Sequence, residues 1–254
     1  MSRTLQIVAI AALGCIAAVS AQSGAAGWGR PDLPYDTQLT FVRLRWTSGT
    51  FGVPVTGRGP NFWLHEFPRA EQNFMTILSD FTLVDARSDG SLILTLEDPD
   101  LFRYPVVTMW EPGFWMLTDS NAMRLREYLL KGGFVIFNDF EGAQWNNFDA
   151  QTQRVFPGAR WLRMDETHPI FDSFYHLEQI DAPNPINHHL SGLRPEYFGL
   201  FEDNDPTRRL MAIANYNTNL GEYWQAAGLG FFPLESLSQG FKLGINYMVY
   251  AMTH

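Results

Sequence analysis

The sequence predicts an α/β fold, a three-layer sandwich around a mainly parallel central sheet, and two observations carry that expectation. Residues 103–141, RYPVVTMWEPGFWMLTDSNAMRLREYLLKGGFVIFNDFE, read as strand, loop, helix, Gly-Gly break and strand. Two apolar strands joined by one helix make a parallel crossover unit. Along the rest of the chain strand-like and helix-like segments alternate, the pattern of helices laid over both faces of one sheet.

The elements follow in order. The opening MSRTLQIVAIAALGCIAAVSAQ has a basic start at Arg3, an apolar run, and the small residues Val19-Ser20-Ala21. That is the order of a secretory signal peptide over residues 1–21. The apolar run is shorter than the ~20 residues a spanning helix needs, so export with cleavage to the periplasm or beyond is expected. A lipoprotein anchored at Cys15 is the alternative. Cleavage removes the single cysteine of the chain. Residues 22–39 are expected to be a flexible lead, and residues 40–254 a single α/β domain, since no internal repeat or linker divides them.

Within that domain, TFVRLRW at residues 40–46 alternates apolar and basic residues, as a strand with one face in water does. Residues 48–60 are rich in glycine and proline and form a loop. Ala70, Phe74, Ile77, Leu78 and Phe81 recur at helical spacing. Residues 91–96 are a strand, and Asp98-Pro99-Asp100 turns the chain. After the strand at 105–110, Thr118 or Asp119 caps a helix that carries Ala122, Leu125 and Leu129 inward. Gly132-Gly133 ends it where a positive φ is wanted, and a strand begins at Phe134. Residues 146–156 form a helix stopped by Pro157, residues 159–164 a strand, and residues 171–179 a short turn or helix. Residues 197–202 and 209–216 pair around Asp203-Asn204-Asp205-Pro206. A terminal helix over residues 237–252 places Leu237, Phe241, Ile245, Met248 and Val249 on one face.

The charge balance narrows the partners. There are 27 acidic against 18 basic residues, a net charge of −9. An acidic chain without a basic run argues against nucleic acid or an anionic membrane. No stretch after the leader is long and apolar enough to span a bilayer. The expected partner is therefore an unknown small molecule or an envelope protein. There is no GxSxG elbow, phosphate loop or GxGxxG fingerprint to support serine hydrolysis or nucleotide binding, and no cofactor is specified.

Ligands in open parallel sheets sit beyond the carboxyl ends of the strands. Here those ends carry Trp110 and Glu111 on one strand and Asn138, Asp139 and Glu141 on the other. Carboxylates there suit a divalent cation or acid–base work, whereas Asn138 and Asp139 also suit a turn. Trp110, with Phe114 and Trp115, offers flat faces for sugar or peptide contact, or covers the core. His168, near Asp165 and Glu166, is a base or a pin for the turn before Pro169. Asn217, Asn219 and Glu222 can reach a ligand or build a capping turn, with Asn219 the cap. His65-Glu66 lacks a second histidine four residues on, so it is no zinc-protease helix, and His188-His189 makes no metal site. No metal ligands are assigned.

Several phrases recur in the order of one bacterial family: FVRLRW, FWLHEFPRAEQNF, LFRYPVV, LREYLLKGGFVIFNDFEG, FPGARWLRMDETHPIFDSFYHL and ANYNTNLGEYW. By these the chain resembles the domain-of-unknown-function 4159 family. The resemblance implies a flavodoxin-like, class I glutamine amidotransferase-like fold without an assigned activity. Enzymes of that fold use a cysteine on a strand-to-helix elbow with His and Glu downstream. The cysteine here lies in the leader, so thiol-based acyl transfer is excluded. What remains is a non-thiol domain binding a ligand or partner at the carboxyl edge of its sheet. The alternative is a hydrolase of carbohydrate-like substrates, with Asp139 or Glu141 as base and His168 assisting.

Overall fold

The computed structural model describes residues 33, 35–48 and 61–254. The expected signal peptide, Cys15 and the loop at 49–60 lie outside them. Within them the chain forms β1 (Val42–Leu44), β2 (Thr47–Ser48), α1 (Arg69–Phe81), β3 (Leu92–Leu94), β4 (Val106–Trp110), β5 (Trp115–Met116), α2 (Asp119–Leu130) and β6 (Phe134–Phe140). There follow α3 (Gln144–Val155), β7 (Trp161–Met164), α4 (His188–Ser191), β8 (Glu196–Phe201), β9 (Leu210–Tyr216), α5 (Leu220–Gln225) and α6 (Leu234–Thr253). At the end of the expected lead Leu39 bridges Ala86 in a parallel pairing.

The seven-stranded sheet has the order β3-β1-β4-β6-β9-β8-β7. From β3 to β9 neighbouring strands are parallel, and β8 is antiparallel to both β9 and β7. Only β8 therefore runs against the rest. β4 and β6, the two strands of the expected crossover, are adjacent and parallel, with Val107 opposite Val135 and Trp110 opposite Asn138. Both strands are apolar because both faces are covered, as buried parallel strands require. Val106, Trp110, Phe134 and Ile136 join the core beneath α1, α5 and α6. Val107, Met109, Val135 and Phe137 join the opposite core, beneath α2 and α3. Period-two alternation along each strand thus feeds two cores.

Three local expectations change. The wet face expected at residues 40–46 holds at Arg45, which is exposed, but not at Arg43, which is 0% exposed because α1 and the segment before it cover it. Phe81, on the expected apolar stripe, is 61% exposed at the last turn of α1. At the end of α2 the left-handed residue is Gly132 (φ +103°), not Gly133. Gly133 is needed for space instead: a Cβ there would run into the ring of Tyr128, whose hydroxyl donates to the Tyr104 carbonyl at 2.8 Å. Gly133→Val is expected to destabilise by about 1–3 kcal/mol through overlap. A urea midpoint unchanged from wild type would refute that account.

The cap of α2 is Thr118, whose side chain accepts from the Asn121 N–H at 3.1 Å. The expected turn near residue 171 is a 3₁₀ turn at Pro169–Asp172. The small antiparallel sheet of β2 with β5 and the short α4 have no counterpart in the sequence pattern. Among the described residues no helix is long and apolar enough to cross a membrane.

Candidate functional site

Three segments meet at the carboxyl edge of the parallel strands. The first is the approach to α1, where a 3₁₀ turn at Phe62–Leu64 leads into His65 and Glu66. The second is Glu111, directly after β4. The third is Asp139, next to the last residue of β6. The pairing of β6 with β9 shifts between Phe137 and Phe140, and Asp139 lies inside that irregularity. Glu66, Glu111 and Asp139 all have left-handed backbones, with φ of +59°, +46° and +63°. Such conformations cost non-glycine residues on the order of 1 kcal/mol or more each and collect at functional sites. Here all three belong to carboxylates at this edge, Glu111 and Asp139 beside His65 and Glu66 within the field of Asp139.

His65 is the hub. Its Nδ1 is ion-paired with Glu111 Oε1, and Asp139 Oδ2 lies 3.5 Å away. A ligand atom from each of His65, Glu111 and Asp139 falls within 4.8 Å of the other two. The loop carrying His65 is anchored from below: Arg43 Nη1 donates to the carbonyls of Trp63 and His65, both at 2.8 Å. Arg43 Nε donates to Glu71 Oε1 at 2.5 Å, and its guanidinium lies 3.6 Å from the Trp110 ring centre. Glu66 Oε1 accepts from Asn219 Nδ2 at 3.0 Å. Its Oε2 is closed off from solvent without a hydrogen-bond partner.

The electrostatics follow from this crowding. Burial works against a charged His65 ring, but hydrogen bonds to the Asp139 and Glu111 carboxylates outweigh it and push its pKa up to about 10. With no ion bound, these carboxylates favour the protonated form of the ring. Burial, and then the charge of Asp139, holds the Glu66 carboxyl well above the usual carboxylate range. Glu141 is raised by the same two causes in the same order. Its Oε1 accepts from Asn187 Nδ2 at 3.3 Å, and its Oε2 is buried without a partner.

The remaining sequence candidates are placed as follows. Asn138 is fully buried; its Nδ2 donates to Asn219 Oδ1 at 3.1 Å and its Oδ1 accepts from the Leu220 N–H at 3.0 Å. It ties the end of β6 to the start of α5. Asn219 caps α5, accepting from the Glu222 N–H at 3.1 Å. Asn217 (φ +58°) accepts from the Gly142 N–H at 3.0 Å and donates to the Arg194 carbonyl at 3.1 Å. Glu222, in the first turn of α5, accepts from Gln225 Nε2 at 2.6 Å.

Two candidates stand away from any ligand surface. Trp110 is 0% exposed, so its ring is core, sealed under Arg43, and offers no face to a sugar. His168 caps the 3₁₀ turn, its Nδ1 accepting from the Ile170 N–H at 3.2 Å. Its ring lies 5.6 Å from that of Phe201, which pairs with Leu210 at the amino end of β9. It is therefore at the opposite end of the sheet from His65. The fold thus brings Glu111 and Asp139 together, with Asn219 and Glu141 beside them, and adds His65 and Glu66. Those two residues stand in a motif, FWLHEFPRAEQNF, that has no zinc-protease spacing. His65 stands 74 positions before Asp139, beyond any local pattern.

An imidazole ringed by carboxylates, with no thiol, can hold a cation or pass protons between side chains. Residues 54–252 match the family described as a domain of unknown function, DUF4159. The chain belongs to that family. No curated protein matches the chain. As a DUF4159 domain its chemistry rests on the site, and within the matched span lie His65, Glu66, Glu111, Asp139 and Glu141.

Proposed function

We propose that this is an exported, non-thiol, amidotransferase-like domain that binds a small polar ligand at the carboxyl edge of its sheet. The observation that carries the reading is the convergence of His65, Glu111 and Asp139 there. Helices over both faces of a largely parallel sheet support a flavodoxin-like arrangement, in which that edge is the usual ligand position. The order of residues in the leader supports export. Among the described residues Glu111 and Asp139 gather about His65, Glu141 stands beside Asp139, and Glu66 feels both Arg43 and His65. A site so rich in acceptors takes a ligand that presents hydrogen-bond donors or positive charge.

Thermal melts test this against amino sugars, neutral monosaccharides, short amine-bearing peptides and divalent chlorides. A true ligand at 100 times its Kd adds about 2.7 kcal/mol to stability. We expect at least one probe to raise the Tm of the wild type and leave that of Asp139→Asn unmoved, with the folded baseline intact. A wild type indifferent to every probe, beside an Asp139→Asn that loses its folded baseline, would mean that Asp139 is a structural cap.

A second reading, hydrolysis of carbohydrate-like substrates, is favoured by Glu66. A carboxyl kept protonated towards neutral pH beside the Asp139 charge is the arrangement of a general acid with its partner. In that version the histidine is His65, not His168. Turnover of an aryl glycoside that disappears in Glu66→Gln would support it.

A further inference from the structure

We infer that the carboxyl-edge cluster is a divalent metal centre, in which His65, Glu111 and Asp139 ligate an imidazole-tolerant ion such as Mn²⁺ or Zn²⁺. The inference rests on the cluster being the working site and names what it holds.

The geometry comes first. Donor atoms bound to one ion at about 2.0–2.2 Å lie roughly 3–4 Å apart. The Nδ1 of His65 and one carboxylate oxygen each from Glu111 and Asp139 already fall within 4.8 Å of one another. His65 Nδ1 is paired directly with Glu111, so an ion enters when side-chain rotation opens that contact and the ring gives up its proton. Among the described residues this is the one group of three such side chains so placed.

The donor set comes second. One imidazole nitrogen with carboxylate oxygens and no thiolate suits Mn²⁺, Fe²⁺ or Zn²⁺, whereas Ca²⁺ and Mg²⁺ are met by oxygen alone.

Third are the orphans beside the cluster. Glu66 Oε2 and Glu141 Oε2 are both buried and both lack a hydrogen-bond partner. A buried carboxyl oxygen left unmatched is expensive, and water held on a metal ion can supply its hydrogen bond. Last is the support behind the ligands. Arg43 fixes the carbonyls of Trp63 and His65, and with them the loop that carries the His65 ligand. Ligands held by an outer layer of hydrogen bonds are what a defined coordination geometry needs.

The test uses Mn²⁺ alone. The whole chain, stripped with a chelator and dialysed, is titrated by calorimetry, with free Mn²⁺ followed by electron paramagnetic resonance. One Mn²⁺ per chain is expected, displaced by Zn²⁺. Affinity should fall about 10–100-fold or more in His65→Ala, Glu111→Gln and Asp139→Asn. Circular dichroism on the same samples confirms that the variants are folded. Should one fail to fold, the wild type decides: its Tm must fall with chelator and return with Mn²⁺.

No binding by the wild type at millimolar Mn²⁺, or equal binding by all the folded variants, overturns the inference. If Mn²⁺ fails while an amino sugar still raises the Tm of wild type and not of Asp139→Asn, the metal centre falls and the ligand site stands. If neither acts, both fall.

Discussion

Arg43→Met is expected to cost the fold about 3–5 kcal/mol, the usual penalty for stranding one member of a buried ion pair. Arg43 and Glu71 have side chains 0% and 1% exposed, so neither has water to fall back on. Removing the guanidinium leaves the Glu71 carboxylate uncompensated and takes the donor from the Trp63 and His65 carbonyls. It also strips the cation from the face of Trp110. Arg43→Lys should be only a partial rescue, because an ammonium cannot span Glu71 and two carbonyls as a planar fork does. The double variant Arg43→Met with Glu71→Leu should recover most of the loss, since no charge is then left buried alone. Urea unfolding reads all three from the midpoint at constant slope. A single variant within about 0.5 kcal/mol of wild type, the range of ordinary surface changes, would refute the pair's structural role.

The second large effect separates two neighbours in the chain. Asn138→Ala is expected to lose about 2–4 kcal/mol, because a stranded buried donor or acceptor costs about 1–3 kcal/mol and the deleted amide also leaves a gap. The Leu220 N–H at the start of α5 loses its acceptor, and Asn219 loses the donor that orients its cap. Asp139→Asn, one residue on, should stay within about 1 kcal/mol, since asparagine tolerates the left-handed backbone held there. Its effect should be on ligand binding instead. The two urea curves decide between the assignments. A neutral Asn138→Ala beside an unfolded Asp139→Asn would reverse them.

These contrasts show which parts of the molecule can be read from local order. The crossover of β4, α2 and β6 was legible because its signals act over a few residues. They are the Thr118 cap, the helical spacing of Ala122, Leu125 and Leu129, and the glycine at the helix end. The carboxyl edge as the place for a site followed from the strand direction, and Glu111 and Asp139 stand there. Arg43 was not legible as buried. An apolar–basic alternation is the same string whether the basic side chain meets water or a buried Glu71. Asn138 and Asp139 could not be told apart either, since both residue types serve turns and ligands alike. Only their directions, one towards α5 and one towards His65, give them different work.

Element types, their succession and the edge where Glu111 and Asp139 stand were written in the linear order, because helices, caps and strands are settled by neighbours a few positions apart. Which side chains share that edge was a matter for the folded chain alone. His65 and Glu66 arrive there from far upstream, and Trp110 turns inward while Glu111 turns to the histidine. Left-handed backbones at Glu66, Glu111 and Asp139 aim the carboxylates. Such kinks are held by contacts across the sheet that no stretch of sequence contains.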